Sequence, residues 1–298
     1  MKKTLIIGST VLDMIVKIDH VPILKEDMNT QSMGFSLGGM AYNVNHIHQR
    51  FNVPSILCCA AGHGFFADCV VRMMKENKME PLVRVPNMDN GCCLCLVEKS
   101  GERTFISHHG AEYTFDPAWL DDVDFNDIDM IYISGLEVEE PTGELLVQFL
   151  EKHQEKQLFF APGPRINAIQ EDRLKRIFQL SPVLHMNEQE VMEYTGILDY
   201  HKGAIVLQSL TKNTVMITCS DQGAWLLDKG EGIMIPTQKV VVVDTIGAGD
   251  SHIGSVMACL KLGMSFKEAV YHANCVAAKV VQCQGAVLSQ AQFDEIQT

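Results

Sequence analysis

The chain has 298 residues, 47% hydrophobic and 20% charged, which is ample for a large core and fits one domain with an appendage better than two equal domains. Its net charge of −13 comes without any basic run, so nucleic acid and anionic membrane surfaces are not expected as partners. The longest apolar runs are strand-sized, and Lys2-Lys3 heads an apolar stretch that Gly8 and Asp13 interrupt too early for a signal peptide, so a cytoplasmic protein is expected.

Residues 4–7 read as a short buried strand ending at Gly8. Residues 11–18 alternate, with Asp13, Ile15 and Lys17 on one face and Leu12, Met14 and Val16 on the other, and 30–37 is the expected partner strand. Gly38-Gly39 opens a helix to about residue 51, followed by a strand at 55–61 and a helix at 65–77. The runs 92–98 and 103–108 flank Ser100-Gly101, a hairpin signal. From Asp129 onward strands (130–134, 158–161, 183–186, 214–218) alternate with helices (about 143–156, from Asn187, 201–210). Segments 224–227, 232–236 and 239–243 read as antiparallel strands, and a last long helix carries Ala269, Val270, Ala273, Ala277 and Val280 on one stripe. This alternation predicts an α/β fold with a mostly parallel sheet covered on both faces. The early hairpin-like segments, about 11–37 and 90–109, are expected to form a small antiparallel sheet projecting from it. Ligands of open α/β sheets sit at the carboxyl ends of strands, and Gly8, Asn187 and Gly247 all follow strand ends.

Most of the 10 cysteines lie in apolar segments, where cysteine acts as a small hydrophobe. Cys92 and Cys95 have C-x-x-C spacing, but on a strand they face opposite ways, and no second ligand pair has metal spacing. A zinc site is therefore not expected there.

The most informative stretch is Asp244-Thr245-Ile246-Gly247-Ala248-Gly249-Asp250. It follows the apolar run 240–243, read as a buried strand, and precedes Ile253, Val256, Met257 and Leu260 at helical spacing. A strand, a glycine turn and a helix start put several free N–H groups and the positive end of the helix dipole at one spot, which suits an anion such as phosphate. Asp250, a carboxylate beside such a site, suits taking a proton from an attacking hydroxyl.

This stretch resembles the D-T-x-G-A-G-D signature of the ribokinase-like (PfkB) carbohydrate kinases, and further marks of that family follow in order from Gly8 to Gly285. The resemblance implies a three-layer α/β/α core with a small β lid. It also implies ATP-dependent phosphoryl transfer to a hydroxyl of a small sugar or sugar-like metabolite, with Asp250 as base and the backbone of Gly247, Ala248 and Gly249 around the transferring group. Gly38-Gly39-Met40-Ala41-Tyr42-Asn43 is similar to the family's G-G-x-x-x-N, so Gly38, Gly39 and Asn43 are implied acceptor contacts, with Asp13 on the sugar hydroxyls. Arg103, ahead of Gly110-Ala111 in what resembles the return from lid to core, is a further substrate-side residue.

Asn187-x-x-Glu190 resembles the N-x-x-E motif, which implies magnesium organised through water by Glu190 together with Asn187. The segment 218–224 is similar to the nucleotide loop T-x-G-x-x-G-A, giving Thr218 and Gly223, with Ser220 where the first glycine is usual. Thr245, Asn274 (near adenine) and Gly285 (closing the site) complete the implied nucleotide contacts, Arg165 is a candidate phosphate contact, and a monovalent cation such as K+ is an implied activator. The chain departs from the family at His252, where an aromatic is usual, at Ala161, where Asp or Asn is usual, and at Asn45, where a small residue is usual. Met40 stands where typical ribokinases have lysine, which leaves another sugar or a nucleoside of the adenosine, inosine or pseudouridine type open as acceptor. A non-catalytic sugar- or nucleotide-binding regulator is the competing class, and the retention of Asp250 and Glu190 speaks against it. The P-loop and dinucleotide fingerprints are both missing from the sequence. Finally, the lid strands carry apolar residues on both faces: Ile15 against Met14 and Val16, and Leu94 and Leu96 against Cys93, Cys95 and Val97. A small sheet of that kind needs cover, and a homodimer through the lid, as in some relatives, is expected.

Overall fold

The computed structural model describes residues 1–296, which fall into two compact units. The first comprises Met1–Gly8, Met40–Cys58 and the chain from Phe115 onward, the second Ser9–Gly39 and Cys59–Thr114. The second unit thus takes in residues 59–89 besides the two segments expected for a lid. Through residue 114 the elements are β1 (Lys3–Ile7), β2 (Val11–Lys17), β3 (Ser32–Gly38), α1 (Met40–Arg50), β4 (Ser55–Cys58), β5 (Ala60–His63), α2 (Gly64–Glu76), β6 (Val83–Asp89), β7 (Cys92–Val97) and β8 (Arg103–His108). There follow β9 (Ile128–Ser134), α3 (Gly135–Glu139), α4 (Gly143–Lys152), β10 (Gln157–Ala161), α5 (Glu171–Gln179), β11 (Val183–Asn187), α6 (Glu188–Thr195) and α7 (Tyr200–Thr211). The chain continues through β12 (Val215–Thr218), β13 (Ala224–Asp228), β14 (Glu231–Ile235), α8 (Ala248–Lys261), α9 (Phe266–Val280) and α10 (Gln290–Asp294).

The first unit is built on an eight-stranded sheet in the order β14-β13-β12-β11-β10-β9-β1-β4. All pairings from β12 to β4 are parallel, and only the β12–β13–β14 edge is antiparallel. Leu5 and Ile6 point to opposite faces yet both are fully buried, as are Phe159 and Phe160, so helices cover both sides. That is why the central strands read as continuous apolar runs.

The second unit holds a four-stranded sheet, β3-β2-β7-β8, and a separate pairing of β5 with β6. The two expected hairpin-like pairs, β2–β3 and β7–β8, are antiparallel, and a parallel pairing of β2 with β7 joins them. Cross-strand register fixes the two faces. Ser36, Asp13, Cys93 and Ser107 form one row, and Phe35, Met14, Leu94 and Ile106 form a row on the opposite face. Ile18, Val21 and Met28 cover the Val16–Leu96 corner of that second face. The rest is open: Met33 is 63%, Phe35 46% and Ile106 57% exposed.

Three readings of the sequence change. Segment 55–61 is two strands: β4 pairs with β1 in the large sheet, while β5 pairs with β6. The strand β6 was not anticipated. Its Pro86 and the Asn87-Met88-Asp89 that follow read as loop, and it pairs on one side only, with a register shift, where proline is tolerated. Residues 239–243 form no strand: Val241, Val242 and Val243 are 82%, 58% and 60% exposed. The backbone there hangs from the end of α9, with the Val243 and Asp244 N–H groups donating to the Val281 carbonyl at 2.7 and 3.1 Å.

One polar contact fixes a short helix that matters below. Arg173 of α5 is buried, and its guanidinium donates to the carbonyls of Val138, Glu139 and Glu140 at 2.9, 3.3 and 2.8 Å, capping the end of α3. Arg173→Met keeps the apolar stem but strands these carbonyls. It should lower stability by about 2–3 kcal/mol, read from the midpoint of urea denaturation.

Candidate active site

The start of α8 is fastened from two sides. Gly247 caps it in the left-handed region at φ 73°, and a Cβ there would lie 2.6 Å from the Ala286 Cβ, so only glycine fits. The buried Asp244 carboxylate accepts from the Ile246 N–H and, across the fold, from the Gly285 N–H, both at 2.8 Å. A Cβ at Gly249 would meet nothing within 4 Å, so the first turn opens onto free space. Gly285 therefore serves the loop through Asp244, and it is not on the wall of the adjoining cavity. Asp244 was read in the sequence only as the first letter of the signature.

Asp250 lies in that first turn. The Asn43 Nδ2 of α1 donates to its Oδ2 at 2.8 Å, while the buried Asn43 Oδ1 has no partner. Asp250 keeps some open surface, but protein crowds it closely enough that burial pushes its carboxyl up to about 6. The donation from Asn43 opposes that rise, and the charges of Glu137 and Glu190 add to it.

Glu137 is a residue the sequence reading missed. It is 2% exposed on α3, accepts from Ser134 Oγ, and packs so closely on Gly8 that a Cβ there would sit 2.6 Å from its Oε1. Tyr132 lies among these groups, fully buried, with its hydroxyl unpartnered. Burial, then the charges of Asp250 and Glu137, raise its pKa. The only sequence signal was an acid just after a strand end.

Asn187 and Glu190 form a reciprocal cap at the start of α6. The Asn187 Oδ1 accepts from the Glu190 N–H at 2.8 Å, and the Glu190 Oε2 accepts from the Asn187 N–H at 3.0 Å. Burial raises the Glu190 pKa, against the Asn187 donor. One carboxylate oxygen stays outside the cap. Magnesium takes one or two carboxylates and keeps most of its waters, so this set fits it, and among the described residues no cluster of three His, Cys, Asp or Glu side chains forms a closed cage.

A cavity of about 840 Å³ adjoins the helix start, and Asn187, Thr218, Gly223, Thr245, Gly249 and Asn274 all line it. Gly223 needs its glycine: φ is 107°, and a Cβ would meet the Ile235 carbonyl at 2.1 Å. Ser220 occupies the left-handed region at φ 45° despite its side chain. Asn274 donates to the Ile235 and Pro236 carbonyls at 2.8 and 3.3 Å, so its amide shapes the wall it lines. Arg165 is held by Glu139, with Nε to Oε2 at 2.6 Å, and does not line the cavity.

In the second unit, burial pushes the Asp13 carboxyl up to about 7, with Cys93 opposing. A Cβ at Gly38 would meet the Asp13 Oδ2 at 2.0 Å, and one at Gly39 the Ser9 carbonyl oxygen at 2.4 Å. Arg103 shares a face with Asp13, but it stands opposite Val97 and Lys17.

The family model described as pfkB family carbohydrate kinase matches residues 1–292. The chain belongs to that family. An uncharacterized sugar kinase of Escherichia coli (strain K12), YegV, is 31% identical over 288 residues, covering 95% of this chain and 90% of that protein. Among solved structures, ribokinase from Thermotoga maritima is 23% identical with a TM-score of 0.84, over 99% of both chains. Arabidopsis thaliana ribokinase complexed with ribose and ATP is 17% identical with a TM-score of 0.81, over 99% of this chain and 98% of that one. The fold is therefore ribokinase-like, and family membership makes the chain a kinase, a phosphotransferase with an alcohol group as acceptor.

In such an enzyme the acid limb of kcat/KM reports the base of the free protein. If Asp250 is that base, Asn43→Ala, which removes the donor opposing the rise of its pKa, should move the limb from about pH 6 to higher pH. A pH–rate profile of the two proteins checks this, and the position of the limb, not the height of the plateau, is the readout.

Proposed function

We propose that this kinase transfers the γ-phosphoryl group of ATP to a hydroxyl of a small sugar or sugar-like metabolite, with Asp250 taking the hydroxyl proton. The observation that carries this reading is the 2.8 Å contact of Asn43 with Asp250 at a helix start that opens on a nucleotide-sized cavity. Asn43 holds the base in place with one amide atom and offers its unpartnered Oδ1 to the acceptor. The backbone of Gly247, Ala248 and Gly249 stabilises charge on the transferring group. Asp13, Gly38 and Gly39 orient the acceptor hydroxyls, with Arg103 as a further substrate-side residue. Thr218, Gly223, Thr245 and Asn274 hold the nucleotide, and Gly285 acts through Asp244. Asn187 and Glu190 hold magnesium through water, and magnesium supplies neutralisation of phosphate charge. A monovalent cation such as K+ belongs to the same proposal by resemblance alone.

A nucleoside acceptor is the second reading. Phe105 favours it, being 53% exposed on the Asp13 face and able to stack a base. We place the enzyme in the cytoplasm, without nucleic acid or membrane partners. The charge of −13 and the 10 free cysteines support this. No helix of the described residues is long and apolar enough to cross a membrane.

Asp250→Asn is nearly isosteric and cannot accept the proton. Its kcat should fall by roughly 10²–10⁴ in an ADP-release assay over sugars and nucleosides, while ADP still binds. Full activity in that variant would remove Asp250 as the base.

The homodimer is also proposed, through the apolar face of the four-stranded sheet. Met33, Phe35 and Ile106 are its open residues. Light scattering at micromolar concentration should give twice the chain mass of 33.2 kDa, and charges at Met33 and Ile106 should halve it. A monomer mass for the unaltered protein would sink the dimer.

A further inference from the structure

The reaction proposed above gives Asp13 a task but leaves the residue beside it without one. Asp13 of β2 stands opposite Ser36 of β3 and Cys93 of β7, and Cys93 stands opposite Ser107 of β8. The four side chains form one polar row across the sheet of the second unit, on strands about 4.8 Å apart. Asp13 is half-buried, and Cys93 is 8% exposed. Other cysteines of the chain sit among apolar side chains, whereas this thiol lies against a carboxylate.

The hydrogen bonds along this row have a direction. The Ser107 Oγ lies 3.4 Å from the Cys93 Sγ and donates to it. Burial pushes the Cys93 thiol up to about 11, so it keeps its single proton around neutral pH. With the sulfur accepting from Ser107, that proton is directed to the Asp13 carboxylate, where the bond opposes the rise that burial imposes. Ser36 does not compete, because its hydroxyl donates to the Leu37 carbonyl at 3.3 Å. Gly38 of β3 rests on the Asp13 Oδ2 and brings no side chain. The helix α2, which also packs on β2, buries Ala67, Cys69, Val70 and Met74, and no charged side chain of the described residues shifts Asp13. Among the described residues Cys93 is therefore the one side-chain donor offered to this carboxylate.

We propose that Cys93, held by Ser107, donates its S–H in a hydrogen bond to Asp13 and so fixes that carboxylate in the orientation in which it meets the acceptor hydroxyls. Asp13 touches the acceptor, and Cys93 is a positioning residue that acts through it. A carboxylate that accepts from two hydroxyls has to be ionised and held against rotation. One bond from the thiol favours both, and it leaves the remaining lone pairs to the acceptor. This rests on the reading of Asp13 as an acceptor contact.

The test is a double-mutant cycle read as melting temperature, on the full-length protein without ligand, at about pH 5 and about pH 8.5. The Asp13 carboxyl stands at about 7, above its ordinary 3.8, so its contribution to stability is full below about pH 4 and is lost as the pH rises through about 7. Cys93→Ala takes away the opposing donor and deepens that loss. At the higher pH it should lower the melting temperature by about 2–4 °C more in the parent than in the Asp13→Asn protein, and at the lower pH by the same amount in both. Cys93→Ser restores a donor and should remove most of the extra loss. With D-ribose or adenosine as acceptor, Cys93→Ala should also raise the acceptor KM by more than it lowers kcat. A coupling equal at the two pH values, or missing at both, overturns the proposal, as does an acceptor KM that rises in Asp13→Asn but not in Cys93→Ala. If Cys93→Ala does not fold, Cys93→Val, which also lacks a donor, carries the cycle. An acceptor KM that Asp13→Asn leaves unchanged overturns the acceptor reading itself, which is a separate result from a failed cycle.

Discussion

In the proposed reaction the chemistry turns on the hydrogen bond from Asn43 to Asp250. It joins side chains 207 positions apart in sequence, and it can form only because α1 and α8 approach closely. Gly254, one turn beyond Asp250, permits the approach: a Cβ there would lie 3.1 Å from the Ile47 Cβ and 3.3 Å from the Val44 backbone. Burial and, less, two neighbouring acids push the Asp250 carboxyl up, and the charge-assisted donor opposes them, so that it stands at about 6. A base at that value would be ionised near neutral pH and still basic enough to take a proton. Tight packing and acid–base tuning are here one structural fact.

Much of this was legible in the sequence because it is local. The turn Gly247-Ala248-Gly249, the cap Asn187–Glu190 and the strand β2 are set by residues within a few positions of each other, and the structure contains each of them. What could not be read is non-local. The run 240–243 has the apolar character of a buried strand, yet β14 remains the sheet edge and the run is left exposed, tied to α9 by backbone bonds. The parallel pairing of β2 with β7 joins segments some 80 residues apart, and no turn chemistry announces it. Glu137 has no motif of its own. It becomes a site residue only when β9 and β1 pair and bring it against Gly8.

Structural and functional readings of the same residue are not rivals here. Asn187 spends its side-chain oxygen on an ordinary N-cap, and the cap is what holds Glu190 in a fixed place. Gly38 is small because the Asp13 carboxylate rests on it, so in the proposed reaction the glycine would serve the acceptor contact by way of the acid. Asn274 builds the cavity wall by bonding to two carbonyls and still lines that wall. A residue fully engaged in the fold is held more rigidly than one left free, and rigid placement is what a reacting constellation requires.

Seen this way, α8 is the member on which separate long-range ties converge. Asp244 binds the loop ahead of it to Gly285, Asn43 binds its first turn to α1, and His185 meets its second turn from β11. Each tie crosses a different part of the first unit, so the helix start cannot shift without breaking at least one of them. Phosphoryl transfer asks little covalent chemistry of a protein and a great deal of placement. The signature residues supply the groups, but they would point nowhere in particular without partners that lie far away in sequence and carry no motif. This is the physical reason a short signature can identify the family while the residues that make it work in this chain emerge only from the fold.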